Sequence, residues 1–264
     1  MKVLVVETMK KPYVKEINGT LKEMQTIVGG YIEGFPIFED VYVFCNDEGK
    51  IQGLKPNRAV FDEDGNVVDI ICGTFFLCSL NEGEDLSDEL ISKYTELFGV
   101  GHYIFKFSND VCAFKYNEVK DFISYRELTN KHQKEVNEFP MFYAFSNKQF
   151  EGGMRKLNLQ PDEEDKIVSV GMGFTRKTDA PRFYFMLAQH TFEHKAHIAN
   201  DKVGDGYIKQ MFTAELFNHE YAYTEELEDT LAACNITADE INNNAALRNG
   251  LSLAIKTVLK GSVY

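Results

Sequence analysis

Apolar residues recur along this chain with two different periods, and the changes between them predict where helices give way to strands. Thr20-Leu21-Lys22-Glu23 has the form of a capping box, with the threonine oxygen placed to take an amide of the first turn and Glu23 to reach back. Leu21, Met24, Ile27 and Val28 follow as one stripe, so the spacing predicts a short helix ending at Gly29-Gly30. From Tyr31 the apolar residues come instead in strand-length runs. Asp47-Glu48-Gly49-Lys50 and Asp62-Glu63-Asp64-Gly65-Asn66 separate them as hairpin turns, with glycine supplying the positive φ. Three or more strands around one helix are expected. A second helix is expected to open at Ser87-Asp88-Glu89, to carry a stripe at Leu90, Ile91, Tyr94 and Leu97, and to stop at Gly99. Two alternating aromatic runs, 103–107 and 111–116, predict a hairpin that turns at Ser108-Asn109-Asp110.

Residues 117–138 are polar with scattered apolar positions and fit either a connecting helix or a linker. A second domain is expected from Pro140. It opens with a short strand at 141–145 and a capping box, Ser146-Asn147-Lys148-Gln149, flanked by Phe145 and Phe150 at the staple positions. A strand at 166–170, the loop Gly171-Met172-Gly173 and a long helix over about 179–198 follow, then helices over about 205–217, 224–233, 237–243 and 245–259. Thr237-Ala238-Asp239-Glu240 between Ile236 and Ile241 repeats the box and staple. The expected fold class is α+β: a small N-terminal sheet-plus-helix domain at 1–98, a hairpin and linker at 99–139, and a helix-rich C-terminal domain with a short sheet at 140–264.

Composition adds limits to this picture. A chain of 264 residues, 44% hydrophobic and 13% aromatic, can bury a full core. Its 41 acidic against 28 basic residues give a formal charge of -13, with both halves acidic, and argue against direct binding to a phosphate backbone. The acidic cluster at 225–229 fits the first turn of a helix, and most of the remaining charge fits a solvated surface. Five cysteines, an odd number with no C-x-x-C pair, suggest reduced thiols rather than disulfides or a zinc knuckle. No apolar run reaches the roughly 18 to 20 residues that span a bilayer, and residues 1–11 have the wrong order of charge for a signal peptide. A cytoplasmic protein without membrane contact is expected.

Several segments together carry a resemblance. Val3-Leu4-Val5-Val6-Glu7, Pro12-Tyr13-Val14-Lys15-Glu16-Ile17, the helix opening at Thr20, Gly29-Gly30-Tyr31-Ile32-Glu33, Cys45-Asn46-Asp47-Glu48-Gly49-Lys50, Gly53-Leu54-Lys55-Pro56-Asn57-Arg58-Ala59 and Asp69-Ile70-Ile71-Cys72-Gly73-Thr74-Phe75-Phe76 resemble an uncharacterised domain-of-unknown-function family common in phages and conjugative elements of gut Firmicutes. The segments 142–150, 215–221 and 227–231 are similar to a second uncharacterised module of mobile-element proteins. Neither resemblance implies a reaction, ligand, cofactor or site residue.

The sharpest catalytic string is His190-Thr191-Phe192-Glu193-His194. On a helix His190 and His194 share a face, and H-x-x-E-H is the inverted zinc-peptidase motif with its glutamate as general base. Glu215 is a candidate third ligand, Glu220 another, and His197 extends the same face; the same string also fits an exposed amphipathic helix. Gly171-Met172-Gly173-Phe174-Thr175-Arg176-Lys177, between a strand and a helix, could cradle a phosphate, although it matches neither common nucleotide fingerprint. A G-x-S-x-G elbow is absent and the cysteines lack a local histidine, which argues against a Ser or Cys hydrolase. Tyr31, Asn57 and Arg58 are the candidate binding residues. Arg58 can fork onto a carboxylate or phosphate and Asn57 can bond backbone or ligand from a loop, or the arginine can pair with a surface carboxylate while the asparagine caps the turn. Most aromatic residues are expected in the core.

These features favour a non-enzymatic phage or mobile-element protein that binds a host protein, in counter-defence or host takeover, with no cofactor. The alternatives are a zinc-dependent hydrolase built on His190, His194 and Glu215 with Glu193 as base, a nucleotide-processing activity at the glycine loop, and an acidic DNA mimic. The sequence leaves the oligomeric state open.

Overall fold

The computed structural model describes residues 1–261. The chain is α+β, 43% helical and 23% strand, and its contacts divide it into two compact units, Met1–Glu118 and a second that starts at Val119.

In the first unit, β1 (Lys2–Val6), β2 (Tyr13–Glu16), α1 (Leu21–Val28), β3 (Ile32–Phe38), β4 (Val41–Asn46), β5 (Pro56–Phe61), β6 (Val67–Cys72), β7 (Phe75–Cys78), α2 (Asp88–Phe98), β8 (His102–Phe107) and β9 (Asp110–Lys115) follow in order. Five strands form one antiparallel sheet in the order β2-β1-β7-β4-β3, while β5 with β6 and β8 with β9 form separate hairpins. Alternation divides the sheet's side chains between two cores. Val3, Val5, Phe76 and Cys78 join Ile17 and the α1 residue Val28. Leu4, Val6, Phe75 and Leu77 join Val60 and Ile71 of the β5–β6 hairpin and Tyr94 and Phe98 of α2.

Three local details differ from expectation. Thr20 stands at the N-cap of α1, but its side chain makes no capping bond; Glu23 instead accepts the Asn18 N–H (2.8 Å), and the Asn18 side chain accepts the Thr20 N–H (3.1 Å). The chain at Asp47-Glu48-Gly49-Lys50 does not turn a hairpin, since β4 pairs with β3 and β7 while β5 pairs with β6. The buried Asn46 side chain takes the Glu48 N–H (2.9 Å), and successive turns carry residues 47–53 away from β4. Ser87 caps α2 through the Leu90 N–H, yet Phe98 is buried where Leu97, on the expected stripe, is exposed. The turn at 62–66 joins β5 to β6, and the turn after Phe107 joins β8 to β9.

In the second unit, α3 (Tyr125–Glu138), β10 (Met141–Phe142), α4 (Asn147–Lys156), β11 (Ile167–Val170), β12 (Gly173–Arg176), α5 (Ala180–Asn200), α6 (Tyr207–Asn218), α7 (Tyr221–Thr224), α8 (Glu228–Ala233), α9 (Ala238–Asn243) and α10 (Ala245–Gly261) follow. α3 occupies much of the stretch left open between helix and linker, and a full capping box between Ser124 and Glu127 starts it. Thr237 and Glu240 form the second complete box, at α9. Strands β10, β12 and β11 form a small antiparallel sheet packed through Phe142 and Phe174 on Phe150 and Met154 of α4. Helices α6 and α10 build the main core with Cys234 and Ile236 between them and the rest of the bundle. They approach closely at Gly250, where a Cβ would meet Ile208 Cγ2 at 2.5 Å.

Candidate functional site

Asn57 and Arg58 lie inside the first unit. They sit on β5 with relative exposures of 1% and 0%. The Arg58 fork uses all five donors: Nε to the Phe98 carbonyl (2.9 Å), one terminal nitrogen to the Asn57 carbonyl (3.2 Å) and Oδ1, the other to the carbonyls of Lys10 (3.0 Å) and Gly99 (3.1 Å). Asn57 donates to Val6 (2.9 Å) and Gly73 (2.7 Å). Phe98 ends α2, so the guanidinium closes the helix's negative end and ties it to the chain after β1. Burial brings the arginine down to about 10, still charged at neutral pH. Beside it, His102 accepts the Ala59 N–H at Nδ1 (3.0 Å), and burial, with help from Arg58 and Lys115, lowers it to about 4. The pair expected on a ligand-facing loop is thus an internal clamp, and its partners are main-chain carbonyls rather than a surface carboxylate. Tyr31 is apart from it, 70% exposed just before β3.

The histidine string lies on α5, and its polar groups bind different neighbours. Glu193 accepts hydrogen bonds from Lys131 (2.7 Å) and His132 (3.0 Å) of α3 and from Gln189 (3.0 Å). Burial pushes its pKa up, but the three donors outweigh that and hold it down at about 2. His190 donates to Glu135 (2.6 Å), and its ring stacks on His132 with centroids 3.9 Å apart; burial lowers its basicity. His194 Nδ1 is hydrogen-bonded to the Tyr207 hydroxyl (2.7 Å), and burial lowers this histidine too. Glu215 accepts from the Tyr125 hydroxyl (2.7 Å). His197, 3% exposed, is held between the Glu193 carbonyl (2.8 Å) and the Ile123 N–H (3.1 Å). His190, His194 and Glu215 therefore do not face a common point. Among the described residues no group of three or more His, Cys, Asp or Glu side chains is arranged to hold a metal ion, so the set does not fit zinc. The string is a polar seam that fastens α5 to α3 and α6.

The glycine loop also takes a different form. Phe174, Thr175 and Arg176 belong to β12, so Gly171 and Met172 turn the β11–β12 hairpin instead of opening α5. Arg176 donates to the Leu157 carbonyl (2.9 Å through Nε) and lies 3.7 Å from Asp179. The backbone there is a ladder, not a ring of free amides for a phosphate.

Large apolar side chains stand exposed at this sheet. Phe145 is 90% and Met172 89% exposed, and Tyr143 is exposed as well. They share one end of the sheet. β10 runs antiparallel to β12 with Phe142 opposite Phe174, which brings Tyr143 beside Gly173, so that a Cβ there would lie 3.3 Å from the tyrosine ring. The expected staple between Phe145 and Phe150 is not made: Gln149 accepts the Phe145 N–H (2.8 Å), Phe145 projects outward, and Phe150 turns in onto Phe142 and Phe174. Clefts open elsewhere among the described residues. One of about 450 Å³ opens by His197, Asp201 and Tyr207 in the second unit; another, about 430 Å³ and more apolar, opens by Met24, Tyr42, Phe44 and Cys78 in the first.

A family model described as "Family of unknown function (DUF7659)" matches residues 124–257, half the chain, and the chain belongs to that family. Residues 1–99 match a second model, "Domain of unknown function (DUF3846)". No curated protein and no solved structure matches the chain.

Proposed function

We propose that this is a non-enzymatic binding protein of a phage or other mobile element, acting in the cytoplasm on a host protein, in counter-defence or host takeover. The observation that carries the reading is the group Tyr143, Phe145 and Met172 at one end of the β10–β12–β11 sheet. Phe145 and Met172, left almost wholly in water beside the half-exposed Tyr143, are what an interface anchor requires. The groups that could serve catalysis support the same reading from the other side. Arg58, His190, Glu193 and His194 are each engaged by neighbours within the fold.

The acidic alternative has its own support. Residues 210–247 contain eight carboxylates and no lysine or arginine, and Glu220, Glu225, Glu226, Glu228 and Asp229 are exposed. A mimic of nucleic acid would bind a DNA-handling enzyme in a salt-sensitive way and compete with duplex.

Affinity capture from a bacterial host lysate, with elemental analysis of the same preparation, tests the proposal. One host protein in fixed ratio and no stoichiometric metal is the expected result. No specific partner, or near-stoichiometric zinc lost in His194→Ala, would count against it.

A further inference from the structure

We infer that the partner meets the Tyr143–Phe145–Met172 end of the sheet with an apolar centre edged by carboxylates. This rests on the binding reading above and names the chemistry of what is bound. The two segments that build the surface, 139–150 and 166–178, contain no Asp or Glu at all, in a chain whose formal charge is -13; of their basic residues Lys148 lies at this end, while Lys166, Arg176 and Lys177 lie at the far end of the hairpin. The acidic run 162–165 enters the hairpin at its other end, because Ile167 pairs with Arg176 while Val170 pairs with Gly173 next to the turn. Lys148 is exposed in the first turn of α4, three residues beyond Phe145. A basic partner would be drawn to the acidic surfaces elsewhere on the chain. A partner that carries carboxylates is repelled by those surfaces and admitted here, where Phe145 and Met172 supply buried area and Lys148 a matching charge.

The test uses two defined peptides and the intact protein carrying ¹³C-methyl methionine. One peptide alternates aspartate with leucine, and the other alternates lysine with leucine. Met172 is the reporter, because it is exposed at the surface, and the fully buried Met154 beneath the sheet is the internal control. The Asp–Leu peptide is expected to shift the Met172 methyl resonance without moving that of Met154, and to bind about fivefold more tightly than the Lys–Leu peptide. Phe145→Ser should weaken both peptides, while Lys148→Glu should abolish the preference and leave the fold intact. Equal binding, a preference for the lysine peptide, or no shift at Met172 overturns the inference. A host partner that is captured through Phe145 while the peptides show no preference removes only the carboxylate edge. Failure to capture any partner removes the binding reading itself.

Discussion

Replacing Arg58 with lysine keeps the positive charge and removes the planar fork, which makes it the sharpest probe of the first unit. Arginine offers five donors in one plane and all five are used, against three on a single tetrahedral lysine nitrogen. At least two bonds to buried acceptors are lost, each worth about 1 to 1.5 kcal/mol. The shorter head group also leaves space beneath Phe98 and Gly99. The expected cost is about 3 kcal/mol for Arg58→Lys, rising to about 5 kcal/mol for Arg58→Met, which abandons every carbonyl in the set. At roughly 3 °C per kcal/mol, the lysine variant should melt about 10 °C lower. Urea unfolding followed by circular dichroism, with a calorimetric scan, measures both changes. A loss below about 0.5 kcal/mol in either variant would show that the clamp does not hold α2 to β5 and to the chain after β1.

Neighbouring glycines in α4 should respond with opposite sign. Gly152 has open space at its Cβ position, so Gly152→Ala should stabilise by about 0.5 to 1 kcal/mol, whereas a Cβ on Gly153 would overlap the Phe142 ring, and Gly153→Ala should destabilise by about 2 kcal/mol or more despite the better helix former; thermal melts of the two variants decide it. His102 is held near 4 in the folded state against an ordinary 6.5, so its contribution is present above pH 6.5 and is lost as pH falls toward 4. Chemical unfolding across that window should show a shallower loss in His102→Gln than in the parent. Glu193 is depressed to about 2 from 4.5, so its share is present above pH 4.5 and is lost between 4.5 and 2. Glu193→Gln should flatten that limb, and an unchanged acid profile would contradict the seam between α3 and α5.

Much of the architecture was legible in local signals. Ser87, Ser146 and Thr237 each cap a helix where their spacing places it, and the 62–66 turn closes a hairpin. Those features depend on residues a few positions apart. Apart from the Thr20 cap and the Phe145 staple, which local contacts displace, the misreadings depend on distant partners. Asp47 to Lys50 has hairpin chemistry, but Asn46 diverts the chain and β4 finds its partners in β3 and β7. Arg58 looks like a loop ligand until β5, α2 and the segment at Lys10 close around it. The histidine string has motif spacing on α5, yet α3 and α6 supply the groups that engage it. One local signal was passed over, the Ser124–Glu127 box that opens α3. Nothing in the sequence separates Phe145, which is 90% exposed, from the core phenylalanines around it.

The most direct test of the binding account is capture from host lysate with the parent protein and with Phe145→Asp/Met172→Asp side by side, read as partner stoichiometry by quantitative mass spectrometry. Both side chains are exposed, so the double variant should fold with an unchanged melting temperature. One host protein in fixed ratio is expected with the parent, and a loss of at least tenfold with the variant. Equal capture by both proteins, or no partner for the parent, would contradict the binding account.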